Sequence, residues 1–323
     1  MWTGPYVRRN FGDEGNVPWR LAGGGAGFFA NLGTRRFLPL ERAMAALGGA
    51  FACALALCAA PLAAPAPDAP IVLAAHRAVY DLTLAYTRGN SPVEAVRGRI
   101  LYDFDGNACS GYSLEFRQVS EIDNGEGKAS TSDLRSTTWE GGDAKSFTFK
   151  SQNFLNDNLI DAVDGRADHG VKTTAVDLRK PQRKKLRVDR EVVFPTEHMV
   201  RAIAAGRAGK TILSFPVYDG SDTGDKVFNT LTVIGHKIPP GERIPDDPAG
   251  KEPRLAGMAR WPVTISYFAK DKTADKGEQT PDYAISFELY DNGISRALML
   301  DYNDFVVKGK LTSLELKPAK PCP

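Results

Sequence analysis

The chain has 323 residues, with 41 basic side chains, 39 acidic ones and 9% aromatics. Residues 1–64 hold six arginines against three carboxylates, so the remainder carries 35 basic and 36 acidic residues, a net charge of −1. This balance excludes a charge-driven nucleic-acid binder, and the length is ample for one large core.

The first element in chain order is an export signal. Arg35, Arg36 and Arg42 form a positive region, Met44–Ala60 ("MAALGGAFACALALCAA") is uncharged and apolar, and "PLAAPAP" follows with helix breakers and small residues. Cleavage is expected between Ala60 and Ala66, releasing an exported mature chain. The run is a poor membrane anchor, because a span needs about 18 or more strongly apolar residues and this one is rich in Ala and Gly. "TRRFL" (Thr34–Leu38) places Phe one position too early for a twin-arginine signal, and "LALC" (Leu55–Cys58) has Leu57 where a lipoprotein box takes a small residue. Residues 1–34, Gly- and Arg-rich without apolar period, are expected to stay outside the fold. The reading is therefore an extension and signal over 1–64 and one domain over 72–323.

From His76 onward the apolar period is two. Ala78, Tyr80, Leu82, Leu84 and Tyr86 share one face; Ile100, Tyr102 and Phe104 another; then Tyr112, Leu114 and Phe116. The pattern returns at Phe147 and Phe149, at Thr211, Leu213, Phe215 and Val217, at Val263, Ile265 and Tyr267, and at Tyr283, Ile285, Phe287 and Leu289. Such alternation marks strands with one buried and one wet face. "DNG" at Asp123–Gly125 and at Asp291–Gly293 supplies hairpin turns, and Asp105–Gly106 and Asp219–Gly220 mark further ones. These spacings predict an all-β domain, a single large antiparallel sheet that curls or closes. One segment has helical spacing: "FPTEHMVRAIAAGRAG" (Phe194–Gly209) predicts one short helix near residues 195–205. The proline-rich stretch Ile238–Arg254 is expected to be a surface loop.

"RKPQRKKLRVDR" (Arg179–Arg190) concentrates positive charge at Arg179, Lys180, Arg183, Lys184, Lys185 and Arg187. Its first reading is a solvated edge strand, whose lysines discourage strand-to-strand aggregation. Its second is a contact for anionic lipid headgroups, lipopolysaccharide or an acidic partner.

Cys53 and Cys58 lie in the leader and depart with it, which leaves Cys109 and Cys322. In an exported chain an even pair is expected to bridge; the alternative is two separate free thiols. The common catalytic and nucleotide-binding motifs do not occur, and His76, His169, His198 and His236 have no ligand-like spacing. Asp246–Asp247 reads as a solvated loop pair. No catalytic residue, metal or cofactor is expected.

Five features together resemble one family: "HRAVYDL" (His76–Leu82), "YDFDGNACSGY" (Tyr102–Tyr112), "IDNGEG" (Ile122–Gly127), "FPTEH" (Phe194–His198) and the C-terminal Cys322. They are similar to the EipB family of periplasmic cell-envelope integrity proteins, across nearly all of residues 72–323. The resemblance implies a spiral-like, incompletely closed β-barrel with a short helix, reminiscent of lipoprotein carriers, and a disulfide that maps onto Cys109 and Cys322. It also implies envelope maintenance, including tolerance of envelope-targeting drugs, and a functional link to a periplasmic tetratricopeptide-repeat protein. The long extension ahead of the signal departs from the family's pattern. The leading expectation is a non-catalytic periplasmic protein that binds an envelope component or a protein partner. The alternatives are a carrier of lipid or lipoprotein, and a hydrolase with a dispersed site.

Overall fold

The computed structural model describes residues 69–125, 127, 129–269, 279–320 and 322. The extension and signal over 1–64, with the expected cleavage site, lie outside the described residues. Eight strands come first: β1 His76–Thr87, β2 Ala95–Asn107, β3 Gly111–Asp123, β4 Ser130–Glu140, β5 Ser146–Leu155, β6 Asn158–His169, β7 Thr173–Lys180 and β8 Lys184–Asp189. Helix α1 (Pro195–Arg207) then leads to β9 Ile212–Val217 and β10 Phe228–Ile234. Two single-turn helices, α2 Pro248–Lys251 and α3 Pro253–Ala256, precede β11 Arg260–Ala269, β12 Tyr283–Tyr290, β13 Ser295–Asp301 and β14 Phe305–Leu316.

The fourteen strands form one antiparallel sheet in the order β8-β7-β6-β5-β4-β3-β2-β1-β14-β13-β12-β11-β10-β9. It is two meanders joined through their outermost members in sequence, because β1 pairs with β14 from His76↔Leu316 to Thr87↔Phe305. The sheet does not close: β8 and β9 are its ends. Register shifts in the β1–β14, β5–β6, β6–β7 and β12–β13 pairs bend it, since a bulge sharpens the local twist. Beyond β8 the chain returns to the far edge, where Val193 forms a parallel bridge with Val217.

The alternating faces lie where the period places them. Tyr80, Ile100, Phe116, Phe147 and Phe149 are all 2% exposed or less, and removing a side chain of that size from water contributes roughly 1.5–3 kcal/mol. Tyr86 departs from the pattern and is exposed. The register shift between Leu84 and Tyr86 turns it off the inner face, and its ring instead lies beneath the Arg88 guanidinium. Inward residues divide into a larger core, which includes Tyr80, Phe116, Trp261 and Tyr267, and a smaller one around Phe147, Phe149, Leu178, Phe194 and Tyr218.

Three local expectations need correction. The turn expected at Asp105–Gly106 lies further on, because β2 runs through Gly106 to Asn107 and pairs Gly106 with Tyr112. The Asn107 side-chain oxygen accepts the N–H groups of Cys109 and Ser110, both at 2.8 Å, and so nucleates the turn there. The proline-rich stretch is also more than a loop, and α1 is not the only helix. α2 and α3 each begin with Pro at the first turn, capped by Asp247 and Glu252. Third, Asp247 is not a solvated carboxylate: it is 4% exposed, accepts from Ala249 N–H at 3.0 Å and pairs with Arg296 at 2.7 Å.

Candidate functional site: the interior and the basic edge

Helix α1 links the two meanders, held by β4 at its start and by the β12–β13 turn at its end. Its N-cap, Phe194, is extended and gives no side-chain cap, so the first N–H groups need an outside acceptor. Glu140, the last residue of β4, supplies it, taking the N–H of Thr196 at 2.6 Å and of Glu197 at 2.8 Å. That carboxyl is 2% exposed. Burial pushes it up to about 7, although the two N–H donors favour the ionised form. At the other end Arg207 makes a double ion pair with Asp291, at 2.7 and 2.8 Å, and anchors α1 to the β12–β13 turn. Gly206 allows the helix to lie on Trp261, since a Cβ there would come within 3.0 Å of the indole ring.

Three of the four histidines are packing elements, and His236 is exposed. His198 is fully buried, with Nε2 hydrogen-bonded to Thr232 Oγ1 at 3.0 Å, and burial lowers it to about 4. His169 stacks on Phe194 with ring centroids 4.3 Å apart; burial, then the charges of Arg190 and Arg201, lower it to about 4. His76 lies between the Ala74 carbonyl and the Tyr102 ring, and burial lowers it to about 4 as well. Among the described residues no group of three or more His, Cys, Asp or Glu side chains is disposed to hold a metal ion.

The basic segment divides in two. β8 is an outermost strand of the sheet, with Leu186 and Val188 half-buried and Lys185, Arg187 and Asp189 exposed. Arg179 pairs with Asp164 at 2.6 Å, Lys184 with Asp225 at 2.8 Å and Lys185 with Asp177 at 3.8 Å. Lys180, Arg183 and Arg187 are exposed and make no ion pair with a described residue. The structure thus spreads the six cations over a strand edge and its turn, with three of them engaged by aspartates.

The two described cysteines meet across the fold. Cys109 lies in the β2–β3 turn and Cys322 beyond β14, with Cα atoms 5.6 Å apart and the sulfurs at bonding distance. The Asn107 side-chain N–H donates to the Lys320 carbonyl at 3.0 Å, Lys320 pairs with Asp105 at 2.8 Å, and Lys317 pairs with Asp103.

Two features escaped the sequence reading. The first is Glu140, which ends a strand like any solvated carboxylate until α1 covers it. The second is a polar stretch inside the sheet, where Gln118, Ser120 and Ser136 are buried on the same inner faces as the aromatic core. The alternation of period two was the available signal, since Gln118 and Ser120 continue the inward series Tyr112, Leu114, Phe116.

The comparisons with known proteins agree on one family. The model of EipB-like proteins matches residues 67–318. The cell envelope integrity protein EipB of Brucella abortus is 37% identical over 244 residues, covering 76% of this chain and 84% of its own length. A crystal structure from Brucella abortus, titled as a beta-barrel-like protein of a domain of unknown function, is similar with a TM-score of 0.70 and 35% identity; the match covers 77% of this chain and 100% of that one. A fold of one open, curled antiparallel sheet, a family match over nearly all its described residues and this level of identity lead to one conclusion: the chain belongs to the EipB-like family.

Proposed function

We propose that the protein maintains cell-envelope integrity from the periplasm as a non-catalytic binding protein. The observation that carries this reading is the 37% identity, over 244 residues, to a protein named for that role. The buried histidines support it, since each has a packing role and a lowered proton affinity, unlike a general base poised near neutrality. Tyr80, Phe116 and Tyr267, each 2% exposed or less, pack one half of the sheet as a filled core, which favours a scaffold over an acyl-chain carrier. The proposed partners are a periplasmic tetratricopeptide-repeat protein, as the resemblance implies, and an anionic envelope surface (lipid, lipoprotein or lipopolysaccharide) met by Lys180, Arg183 and Arg187.

Deletion of the gene tests the role. Cells without it should become sensitive to a cell-wall antibiotic, and the full chain should restore tolerance, whereas a chain lacking residues 1–66 should not. Unchanged tolerance after deletion, or full rescue by the leaderless chain, would sink the reading. Photocrosslinkers placed at Arg183 and Arg187 in living cells should capture a repeat protein or an anionic lipid; an empty result at both positions would remove the basic edge from the proposal.

A further inference from the structure

Pairing places a second, polar territory on the concave face of β3–β6. The register pairs Phe116 with Ser136 and Ser136 in turn with Ser151, Gln118 with Leu134 and Leu134 in turn with Asn153, and Ser120 with Ser132. These positions share the inner face with Leu114, Phe147 and Phe149, so a sheet selected only for packing would carry apolar residues here. Gln118, Ser120 and Ser136 are buried, while Ser132, Ser151 and Asn153 are half-buried and line the wetter part of the same face.

A second observation points outward from this row. Gln118 is 7% exposed, and its Nε2 donates to Ser120 Oγ at 3.3 Å. Its amide is also hydrogen-bonded to Tyr302. Its Oε1, however, has no hydrogen-bond partner among the described residues, and neither does the buried Oδ1 of Asn153. A buried acceptor without a donor costs about 1–3 kcal/mol, whereas an apolar replacement of similar shape would not. Both vacant atoms are acceptors, so whatever fills them must donate N–H or O–H. The inward positions of these rows carry no Lys or Arg among the described residues, which leaves nothing to pair with an anion.

The geometry points to a binding site for an uncharged polyhydroxylated chain, a glycan segment, on the inner face of β3–β6. Sugar hydroxyls both donate and accept, as the serine hydroxyls do, and an N-acetyl amide supplies the N–H that Gln118 and Asn153 lack. This inference rests on the envelope-binding reading and deepens it by naming the ligand class.

Titration of the full mature protein with chitotetraose, with maltotetraose and tetraglycine as comparisons, tests it without a periplasm. Chitotetraose should bind saturably at millimolar concentration and shift the Gln118 and Asn153 side-chain amide resonances. Gln118→Leu and Ser136→Val should each lower its affinity about tenfold or more, the loss of one good hydrogen bond to a buried group, while the melting temperature holds or rises. No saturable binding, binding unchanged in both variants, or preference for tetraglycine would overturn the glycan assignment. Because the titration is independent of cell phenotype, such failure would leave the envelope role standing. Should one variant fail to fold, the resonance shifts of the unaltered protein still decide.

Discussion

Glu140 and the two fully buried histidines pull stability in opposite directions as pH changes. Glu140 is raised from 4.5 to about 7, so the folded state holds its proton more tightly than the unfolded chain does. Its contribution is present below pH 4.5 and is lost as pH rises through about 7. His76 and His198 are lowered from 6.5 to about 4, so their contribution is present above 6.5 and is lost as pH falls toward 4. Two groups outweigh one, and the melting temperature should fall on acidification from pH 6.5 to 4.5. Glu140→Gln removes the opposing contribution, so its decline should be steeper than that of the unaltered protein. Parallel profiles by differential scanning calorimetry would show that Glu140 titrates normally. At Cys109 and Cys322 the prediction concerns a bond. Serine at either position should lower the melting temperature, and the double variant should match the singles because both remove one bridge. A span of 213 residues sets an upper figure of about 5 kcal/mol in the loop-entropy picture. Two free thiols in a non-reducing mass map would refute the bridge.

At the scale of elements, the connection between β10 and β11 depends on buried charge. Arg296 pairs with Asp247 and Glu288, both at 2.7 Å, and Glu288 also pairs with Arg260 at 2.7 Å. Arg260 in turn donates to the carbonyls of Glu242 and Arg243. The proline-rich connection is therefore held against β11–β13 by a chain of charge-assisted hydrogen bonds. Asp247→Ala would remove the α2 cap and one partner of a buried guanidinium, with an expected loss of about 2–3 kcal/mol in urea unfolding. An effect below about 0.5 kcal/mol would mean that Glu288 alone satisfies Arg296. This arrangement shows what the sequence could disclose. The faces of Tyr80, Phe116 and Phe149 were legible because alternation is local, and α1 was legible because its period and Pro195 lie within one segment. Asp247 was not, since its burial depends on Arg296, 49 residues away. Tyr86 was misplaced by a bulge, which leaves no mark in the residue pattern. The polar inner row was hidden for the opposite reason: Gln118 and Ser120 interrupt an apolar face, and only the pairing of β3 with β4 and of β4 with β5 brings them onto one surface with Ser132, Ser136 and Asn153.

Across the whole molecule, most strand pairs join chain neighbours, while β1–β14 joins the two ends of the domain. Local hairpins form at low entropic cost, but the β1–β14 pair must close a loop of most of the folded chain. The Cys109–Cys322 link acts at this same junction, since it ties the tail behind β14 to the β2–β3 turn, and Lys317–Asp103 and Lys320–Asp105 reinforce it. Edge strands have few neighbours and open first, whereas central strands exchange only when the fold opens as a unit. Amide exchange should therefore be slowest in β14, β1 and β2 and fastest in β8 and β9. Loss of the bridge should act unevenly. In Cys322→Ser, exchange should accelerate along β14 and β1 beginning at the Leu316 and His76 end, while the β5–β7 hairpins keep their protection. Uniform acceleration across all fourteen strands would show instead that the bridge stabilises the sheet as one cooperative unit, with no special hold on the junction of its two meanders.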